Sequence, residues 1–265
     1  MSILLIGAGR MGSALLKGWL DRRVKSISVV EPKPSAQLRK WARAKKIALF
    51  AAPSAVKRKP AVCVVAIKPQ VLKGEAVTLA GFAQGGALMI SIAAGTSIDA
   101  LNQAWGRKAR IIRAMPNTPG AIGQGITGLY AAKGVTAADR KRAASLLAAL
   151  GETIWVNKEE LIDSVTAVSG SGPAYLFLMA EALTEAGIAE GLPRDQAEKF
   201  ARATVSGAGA LLAADKSPAS ALREAVTSPA GTTAAALYVL MAEDGLMPLM
   251  KRAVRAARKR AEELR

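Results

Sequence analysis

Three glycines near residue 10 have the spacing of a phosphate-binding loop. They follow the apolar segment Ile3–Ile6 and precede residues 11–21, whose apolar side chains recur with helical spacing. In a strand, loop and helix of this kind, the first glycine permits a tight turn and the second lets backbone N–H groups approach a pyrophosphate. The third glycine lets the helix pack on the strand, and the helix N-terminus attracts negative charge. The pattern therefore predicts a dinucleotide held by Gly7, Ala8, Gly9, Arg10, Met11 and Gly12.

An acidic residue, Glu31, stands where the second strand of such a fold ends, roughly 20 positions beyond the loop. A carboxylate at this position hydrogen-bonds the adenosine ribose and repels a 2′-phosphate. Lys33, Ser35 and Arg39 follow it, and these residues can attract a phosphate. The sequence predicts Glu31 and Lys33 as cofactor contacts and leaves the choice between NADH and NADPH open, with Glu31 favouring NADH.

Three other segments carry residues that a plain scaffold does not need. Residues 66–69 and 113–120 each follow a predicted strand, so they lie at the sheet edge where ligands bind in such folds. Lys68 is equally well explained as a phosphate contact and as a surface lysine. Residues 226–235 present four hydroxyl side chains and backbone amides at the start of a helix. This arrangement can hold a carboxylate, although a hydroxyl helix cap explains it too.

Composition limits the classes of function. Of 265 residues, 51% are apolar and only 4% aromatic, while the formal charge is +17. Such a charge suits nucleic acid, an anionic membrane or a phosphorylated small molecule. The basic residues are dispersed, however, and the densest group, residues 251–265, also contains an apolar stripe typical of a packed amphipathic helix. With few aromatic rings to stack on bases, nucleic-acid binding is disfavoured.

Acid–base and metal chemistry are limited as well. The chain has no histidine, which removes the commonest general acid and the commonest metal ligand, and we predict no metal site. Its single cysteine, Cys63, lies in an apolar run and is expected to be a buried strand residue. No signal peptide or membrane span is predicted, and we expect a cytoplasmic protein.

The order of the predicted elements indicates an α/β Rossmann-type N-terminal domain, residues 1–157, and an all-α C-terminal domain, residues 158–265. Predicted strands cover residues 3–6, 27–30, 61–66, 88–92, 110–114 and 152–156, and predicted helices of the first domain cover residues 11–21, 35–44, 97–105 and 136–150. Predicted helices of the second domain cover residues 161–168, 174–190, 194–214, 219–226, 232–244 and 248–263.

Six segments together resemble the pyrroline-5-carboxylate reductase family over essentially the whole chain. The matching segments are residues 7–12, 66–69, 91–95, 112–119, 168–175 and 228–233. The resemblance implies an NAD(P)H-dependent oxidoreductase that reduces the C=N bond of 1-pyrroline-5-carboxylate to give L-proline, the last step of proline and hence of amino-acid biosynthesis. It further implies a homo-oligomer, a dimer or a ring of dimers formed through the helical dimerisation and substrate-binding domain.

The resemblance also assigns roles to residues. Substrate would bind at Ser228, Gly231, Thr232 and Thr233, with Thr233 as the catalytic residue nearest the ring nitrogen. The nicotinamide and its ribose would be lined by Ala66, Ile67, Lys68, Pro69, Ala93, Met115, Pro116 and Asn117. Two positions depart from the family pattern: Glu31 replaces a small hydroxyl residue, and Ala230 replaces a glycine, which makes the substrate loop stiffer.

The sequence also allows alternative functions, both enzymatic and non-enzymatic. A related imine reductase is one enzymatic alternative, and a 3-hydroxyacid dehydrogenase, which also has the glycine loop and a helical second domain, is another. The dehydrogenase needs a catalytic lysine on an interdomain helix, and residues 164–183 contain none. A nucleic-acid-binding protein would be a different class altogether, and it would show salt-sensitive retention on DNA without nucleotide binding.

Overall fold

A computed structural model describes all residues from Met1 to Arg265. The chain forms two compact units, which we call the sheet unit (Met1–Gly170 together with Ala257–Arg265) and the helical unit (Ser171–Ala256). This division differs from the predicted boundary at residues 157 and 158, because residues 158–170 and 257–265 pack with the sheet.

Eight strands form a single sheet in the sheet unit. They are β1 (Ile3–Ile6), β2 (Ile27–Val30), β3 (Ala48–Phe50), β4 (Val62–Val65), β5 (Leu88–Ser91), β6 (Arg110–Met115), β7 (Gly125–Ala131) and β8 (Gly151–Trp155). Their order is β3-β2-β1-β4-β5-β6-β7-β8, and every neighbouring pair is parallel except β6 with β7. The carboxyl ends of β1 to β6 therefore meet at one edge, and the chain order reverses between β1 and β4, where Rossmann-type folds bind dinucleotides.

Seven helices surround this sheet. They are α1 (Arg10–Asp21), α2 (Ala36–Lys45), α3 (Pro69–Glu75), α4 (Ala80–Gln84), α5 (Ile98–Trp105), α6 (Ala137–Leu147) and α7 (Leu161–Val165), and α7 continues into a π-helical turn at Thr166–Gly170. Helix α7 packs against β6 and β7. This packing explains why the first residues predicted for the second domain belong to the sheet unit.

The helical unit contains α8 (Gly172–Ala189), α9 (Arg194–Ala214), α10 (Ala219–Ala225), α11 (Thr232–Leu240) and the first part of α12 (Leu246–Glu263). Helices α8 and α9 make the most extensive helix pair. No helix is both long enough and apolar enough to span a membrane. The all-helical character predicted for this part of the chain is confirmed.

The core lies on both faces of the sheet, because successive strand residues point to opposite sides. Leu5 and Val64 are buried in one apolar cluster, and Cys63 and Met89 in the other. Burial raises the pKa of the Cys63 thiol, which keeps it protonated and unreactive. The prediction that Cys63 is a buried strand residue is confirmed.

A buried carboxylate, Asp139, ties α6 to the start of β6. The Asp139 side chain accepts hydrogen bonds from the Thr136 backbone N–H at 3.2 Å and from the Thr136 hydroxyl at 2.9 Å. Arg110 binds both carboxylate oxygens, at 2.7 and 2.8 Å. Burial by itself raises the pKa of Asp139, but the bonds from Thr136 and Arg110 outweigh it and lower the pKa below its usual range.

We expect Asp139→Asn to lower the free energy of unfolding at neutral pH by about 1–3 kcal/mol, since charge-assisted hydrogen bonds of a buried group are lost. The lowered pKa means that ionised Asp139 stabilises the fold above the ordinary carboxyl range and that this stabilisation is lost as pH falls through and below it. Urea unfolding at several pH values should show the mutational difference shrinking in acid. Asp244→Asn, at an exposed position, is the control. A difference that does not depend on pH would contradict this assignment.

Candidate active site

The glycine loop connects β1 to α1, and its three glycines meet different surroundings. Gly7 has a φ of +88°, and a Cβ there would lie 2.6 Å from Ile67 Cγ2. A Cβ on Gly12 would lie 2.2 Å from the Gly7 carbonyl oxygen, whereas a Cβ on Gly9 would meet nothing within 4 Å. Two glycines therefore permit close internal packing, and Gly9 leaves open space. This is the arrangement that a pyrophosphate approaching the backbone requires.

Backbone and side-chain hydrogen bonds hold the loop in place. The Gly7 N–H donates to the Val30 carbonyl at 2.8 Å, and the Ser13 hydroxyl donates to the Ala8 carbonyl at 2.6 Å. Helix α1 has no side-chain cap at Gly9, so N–H groups of its first turn are left for a ligand. Ser13 was not among the predicted site residues, because a serine inside a helical pattern gives no signal of its own.

The Glu31 carboxylate bridges the glycine loop and the segment that follows β2. One oxygen, Oε2, accepts the Ala8 N–H at 2.8 Å, and the other, Oε1, accepts the Lys33 N–H at 3.1 Å. Both oxygens are thus fixed beside the loop that would hold the pyrophosphate, and each retains a lone pair for a further donor. The Lys33 residue itself is exposed.

Two further predicted segments leave the same edge of the sheet. Residues 66–69 follow β4, where the Ala66 N–H donates to the Ile6 carbonyl at 2.7 Å and Lys68 is exposed at the start of α3. Ala93 follows β5 and is buried. The strand order places both segments at the same edge of the sheet as the glycine loop, with residues 66–69 next to it.

The segment after β6 is held by its own side chains. Asn117 Oδ1 accepts the Ile126 N–H at 2.9 Å, which ties the segment to β7, and Pro116 is buried. The Met115 methyl lies 2.7 Å from the position that a Cβ on Gly170 would occupy. Gly170 ends the π-helical turn, so the glycine lets this turn approach Met115 closely. π-Helical turns often occur at functional sites.

The predicted substrate residues lie in the helical unit, in the loop before α11. The Gly231 N–H donates to the Ser228 carbonyl at 3.0 Å, and a Cβ on Gly231 would lie 2.3 Å from Ser228 Oγ. Ala230 has a φ of +59°, a left-handed conformation that costs a non-glycine residue about 1–2 kcal/mol. Ala230 therefore adopts a conformation that favours glycine, the residue that the family resemblance leads us to expect here, and it does so with strain.

The start of α11 is open to an anion. Its capping residue is Gly231, and no side chain caps the helix. The alternative that the hydroxyl residues simply cap this helix is therefore wrong. The first backbone N–H groups of α11 have no partner within the helix, and Thr233 is half-buried while Thr232 and Ser228 are exposed. Such a helix start can bind a carboxylate.

Residues 159–264 match the family model described as pyrroline-5-carboxylate reductase dimerisation, and residues 2–95 match the model described as NADP oxidoreductase, coenzyme F420-dependent. The chain is 38% identical to the pyrroline-5-carboxylate reductase of Pseudomonas aeruginosa, over 99% of this chain and 96% of that protein. The chain belongs to the pyrroline-5-carboxylate reductase family. The family predicted from the motifs is thus confirmed.

Solved structures of pyrroline-5-carboxylate reductases have the same fold as this chain. The reductase of Coxiella burnetii has a TM-score of 0.91 and 34% identity, covering 99% of this chain and 98% of that one. The Plasmodium falciparum pyrroline carboxylate reductase with NADP bound has a TM-score of 0.83 and 26% identity, covering 100% and 98%. The Rossmann-type fold class with a helical second part and the NAD(P)H-dependent oxidoreductase class are confirmed.

Exposed apolar side chains cover much of the helical unit, within the dimerisation region of this family. They include Leu176, Phe177, Leu178, Phe200, Leu211, Leu212, Tyr238, Val239, Leu240 and Met247. So many exposed large apolar side chains in one part of a chain are typical of protein–protein interfaces. The surface fits self-association of the chain through its helical unit.

Proposed function

We propose that this chain reduces 1-pyrroline-5-carboxylate to L-proline with NAD(P)H, using the sheet unit to bind the dinucleotide and the loop before α11 to bind the imine. The observation that carries the proposal is a full-length similarity to pyrroline-5-carboxylate reductases in a chain that retains an open glycine loop and an uncapped α11. The test is oxidation of NADH and of NADPH, followed separately with pyrroline-5-carboxylate as the acceptor.

The substrate carboxylate would bind at the start of α11. Backbone N–H groups of Thr232 and Thr233 supply donors there, and the Ser228 hydroxyl and the Gly231 backbone complete the cradle. The Thr233 hydroxyl would orient the ring nitrogen. In this proposal Thr233 is the catalytic residue, because it touches the reacting C=N group.

The reaction needs little acid–base help from the protein. When bound, the dinucleotide supplies the hydride that adds to the C=N carbon. If the imine binds already protonated, its carbon is electrophilic without an enzymic acid, so a chain without histidine can carry out the reaction by orienting its substrates. The residues of the chain then bind the carboxylate, hold the ring nitrogen and exclude misaligned poses.

The dinucleotide fits the residues after β1, β2, β4, β5 and β6. The open space at Gly9 and the uncapped start of α1 would take the pyrophosphate. The nicotinamide and its ribose would meet residues 66–69, Ala93 and the segment Met115, Pro116 and Asn117. Arg10 and Lys68 are both exposed cations beside this path. No group of histidine, cysteine, aspartate or glutamate residues is arranged to hold a metal ion.

We further propose that NADH is preferred over NADPH. The support is the Glu31 carboxylate, which the N–H groups of Ala8 and Lys33 hold in place beside the loop. A fixed negative charge repels a 2′-phosphate, while its free lone pairs can accept the ribose hydroxyls. Lys33 offers a compensating charge, but its exposure weakens that attraction.

Replacing Glu31 by serine should change the cofactor preference. We expect the ratio of kcat/KM for NADPH to that for NADH to rise about tenfold or more, which corresponds to roughly 1.4 kcal/mol of removed repulsion. Steady-state kinetics with both dinucleotides measure the ratio. Glu152→Ser, at an exposed position on β8, is the matched control and should leave the ratio unchanged. An unchanged ratio in Glu31→Ser would rule out Glu31 as the discriminating residue.

The size of the assembly and the location of the protein are also proposals. The exposed apolar surface of the helical unit supports a homodimer, or a ring of such dimers, rather than a binding surface for nucleic acid or membrane. A cytoplasmic location fits an enzyme that consumes a reduced dinucleotide and carries a free thiol.

A further inference from the structure

Residues 257–265 belong to the sheet unit, and their far end lies against the loop that follows β5. Gly95 in that loop has a φ of +63°, and a Cβ there would lie 3.0 Å from the Leu264 carbonyl oxygen and 3.1 Å from Leu264 Cβ. Lys73 Nζ on α3 donates to the same carbonyl at 3.5 Å. The backbone at Leu264 therefore packs directly against the loop that contains Ala93 and Gly95.

Arg265, whose side chain is 27% exposed, pairs with one end of a cluster of two carboxylates and two guanidiniums, in which Asp163 and Arg113 are buried. Its Nη2 lies 3.2 Å from Asp163 Oδ2, and the Asp163 side chain is 2% exposed. Arg113, whose side chain is 3% exposed, forms an ion pair with Glu159. These four charges balance, and Glu262, which also acts on Asp163, has its own partner in Arg258, so the buried carboxylates are paired.

Glu159 connects this cluster to the loop after β5. Its Oε1 accepts the Ile98 N–H at 2.8 Å as well as the Arg113 guanidinium. Ile98 is the first residue of α5, only a short step from Gly95. The position of Glu159 therefore fixes one end of the loop, and Leu264 supports its middle.

Loss of Arg265 would unbalance the cluster. Burial raises the pKa of Asp163, and Glu262 and Glu159 act in the same direction, while Arg265 first and Arg113 second oppose them. Without Arg265, one buried carboxylate has no matching cation of its own. Arg113 would then be shared between Asp163 and Glu159, and the hold of Glu159 on Ile98 would weaken.

We propose that Arg265 is a positioning residue: through Asp163, Arg113 and Glu159 it holds the loop at residues 93–97, and so the nicotinamide end of the dinucleotide. The last step rests on the proposed role of Ala93 as a cofactor contact. Residues 264 and 265 are distant in sequence from residues 93–97, but they belong to the same unit, and Leu264 lies close to Gly95.

The test compares Arg265→Met with Arg260→Met. Arg260 is a suitable control because it lies on α12, five residues before Arg265, and its side chain pairs with the exposed Glu263. In the free protein, hydrogen–deuterium exchange of the amides at 93–98 should be at least fivefold faster in Arg265→Met and unchanged in Arg260→Met. In steady-state kinetics, the KM for NAD(P)H should rise about threefold to tenfold, while the KM for pyrroline-5-carboxylate stays within twofold.

A double variant guards against simple misfolding. Adding Asp163→Asn to Arg265→Met removes one charge of each sign, so exchange at 93–98 and the KM for NAD(P)H should return toward native values. Exchange in Arg265→Met equal to that in Arg260→Met, or no recovery in the double variant, would overturn the proposal. Faster exchange with an unchanged KM for NAD(P)H would show that the loop at residues 93–97 does not affect dinucleotide binding, and would overturn that part of the proposal. The proposed function is tested separately, by turnover of the imine in the native protein.

Discussion

A Gly9→Ala variant should melt at the native temperature and yet lose most of its affinity for the dinucleotide. A Cβ at Gly9 meets no atom within 4 Å, and the backbone there has an ordinary φ of −65°, so the methyl group costs the fold almost nothing. The same methyl group would stand where a pyrophosphate must approach the backbone. We expect the Kd for NAD(P)H to rise by about tenfold or more, or about 1.4 kcal/mol.

Gly12→Ala is the matched variant on the same loop. Its Cβ would lie 2.2 Å from the Gly7 carbonyl oxygen, so α1 must move away from the loop. We therefore expect Gly12→Ala to lower both the melting temperature and the affinity, whereas Gly9→Ala lowers only the affinity. Thermal unfolding and calorimetric titration with NADH and NADPH separate the two. Native affinity in Gly9→Ala would show that the dinucleotide does not use this loop.

Replacing Thr233 by alanine should lower kcat/KM for pyrroline-5-carboxylate by about tenfold to a hundredfold. The proposed hydroxyl contact to the ring nitrogen acts on the reacting group, and loss of a single orienting or stabilising donor commonly costs a factor in this range or more. The Kd for NAD(P)H should be unchanged, because in the proposed arrangement Thr233 contacts the imine and is not one of the residues that hold the dinucleotide.

Two companions make the Thr233 result specific. Thr233→Ser keeps the hydroxyl and should retain most of the activity, and Thr204→Ala removes an exposed hydroxyl on α9 and should retain all of it. An unchanged kcat/KM in Thr233→Ala would remove Thr233 from the proposed chemistry and leave the carboxylate cradle as the function of the loop.

Much of the fold was predictable, because the apolar residues of most strands and helices recur with the regular spacing of those elements. The six predicted strands and most helices match the structure to within a few residues. Strand β3 was missed because it has only three residues and is not fully buried. Strand β7 was missed because Gly125 and Gly128 interrupt its pattern; Gly128 is needed where a Cβ would lie 2.6 Å from Val165. Helices α3 and α4 are too short to show a helical period.

The site was predictable to the extent that its residues come in short motifs. Gly7 to Gly12 and Glu31 were predicted as cofactor contacts from spacing alone, and in the structure the Ala8 N–H joins the loop to Glu31. The cluster of Arg113, Glu159, Asp163 and Arg265 was not predicted. Its members are far apart in sequence, so only the tertiary structure shows that they form two neighbouring ion pairs.

A stoichiometric assay of the native protein with 1-pyrroline-5-carboxylate and either NADH or NADPH tests the proposed reaction and the proposed cofactor preference together. We expect L-proline to appear in the same amount as the reduced dinucleotide that disappears, with a higher kcat/KM for NADH than for NADPH. If both dinucleotides bind but neither is consumed, the proposed dinucleotide site remains supported, and the assignment of the imine as substrate is contradicted.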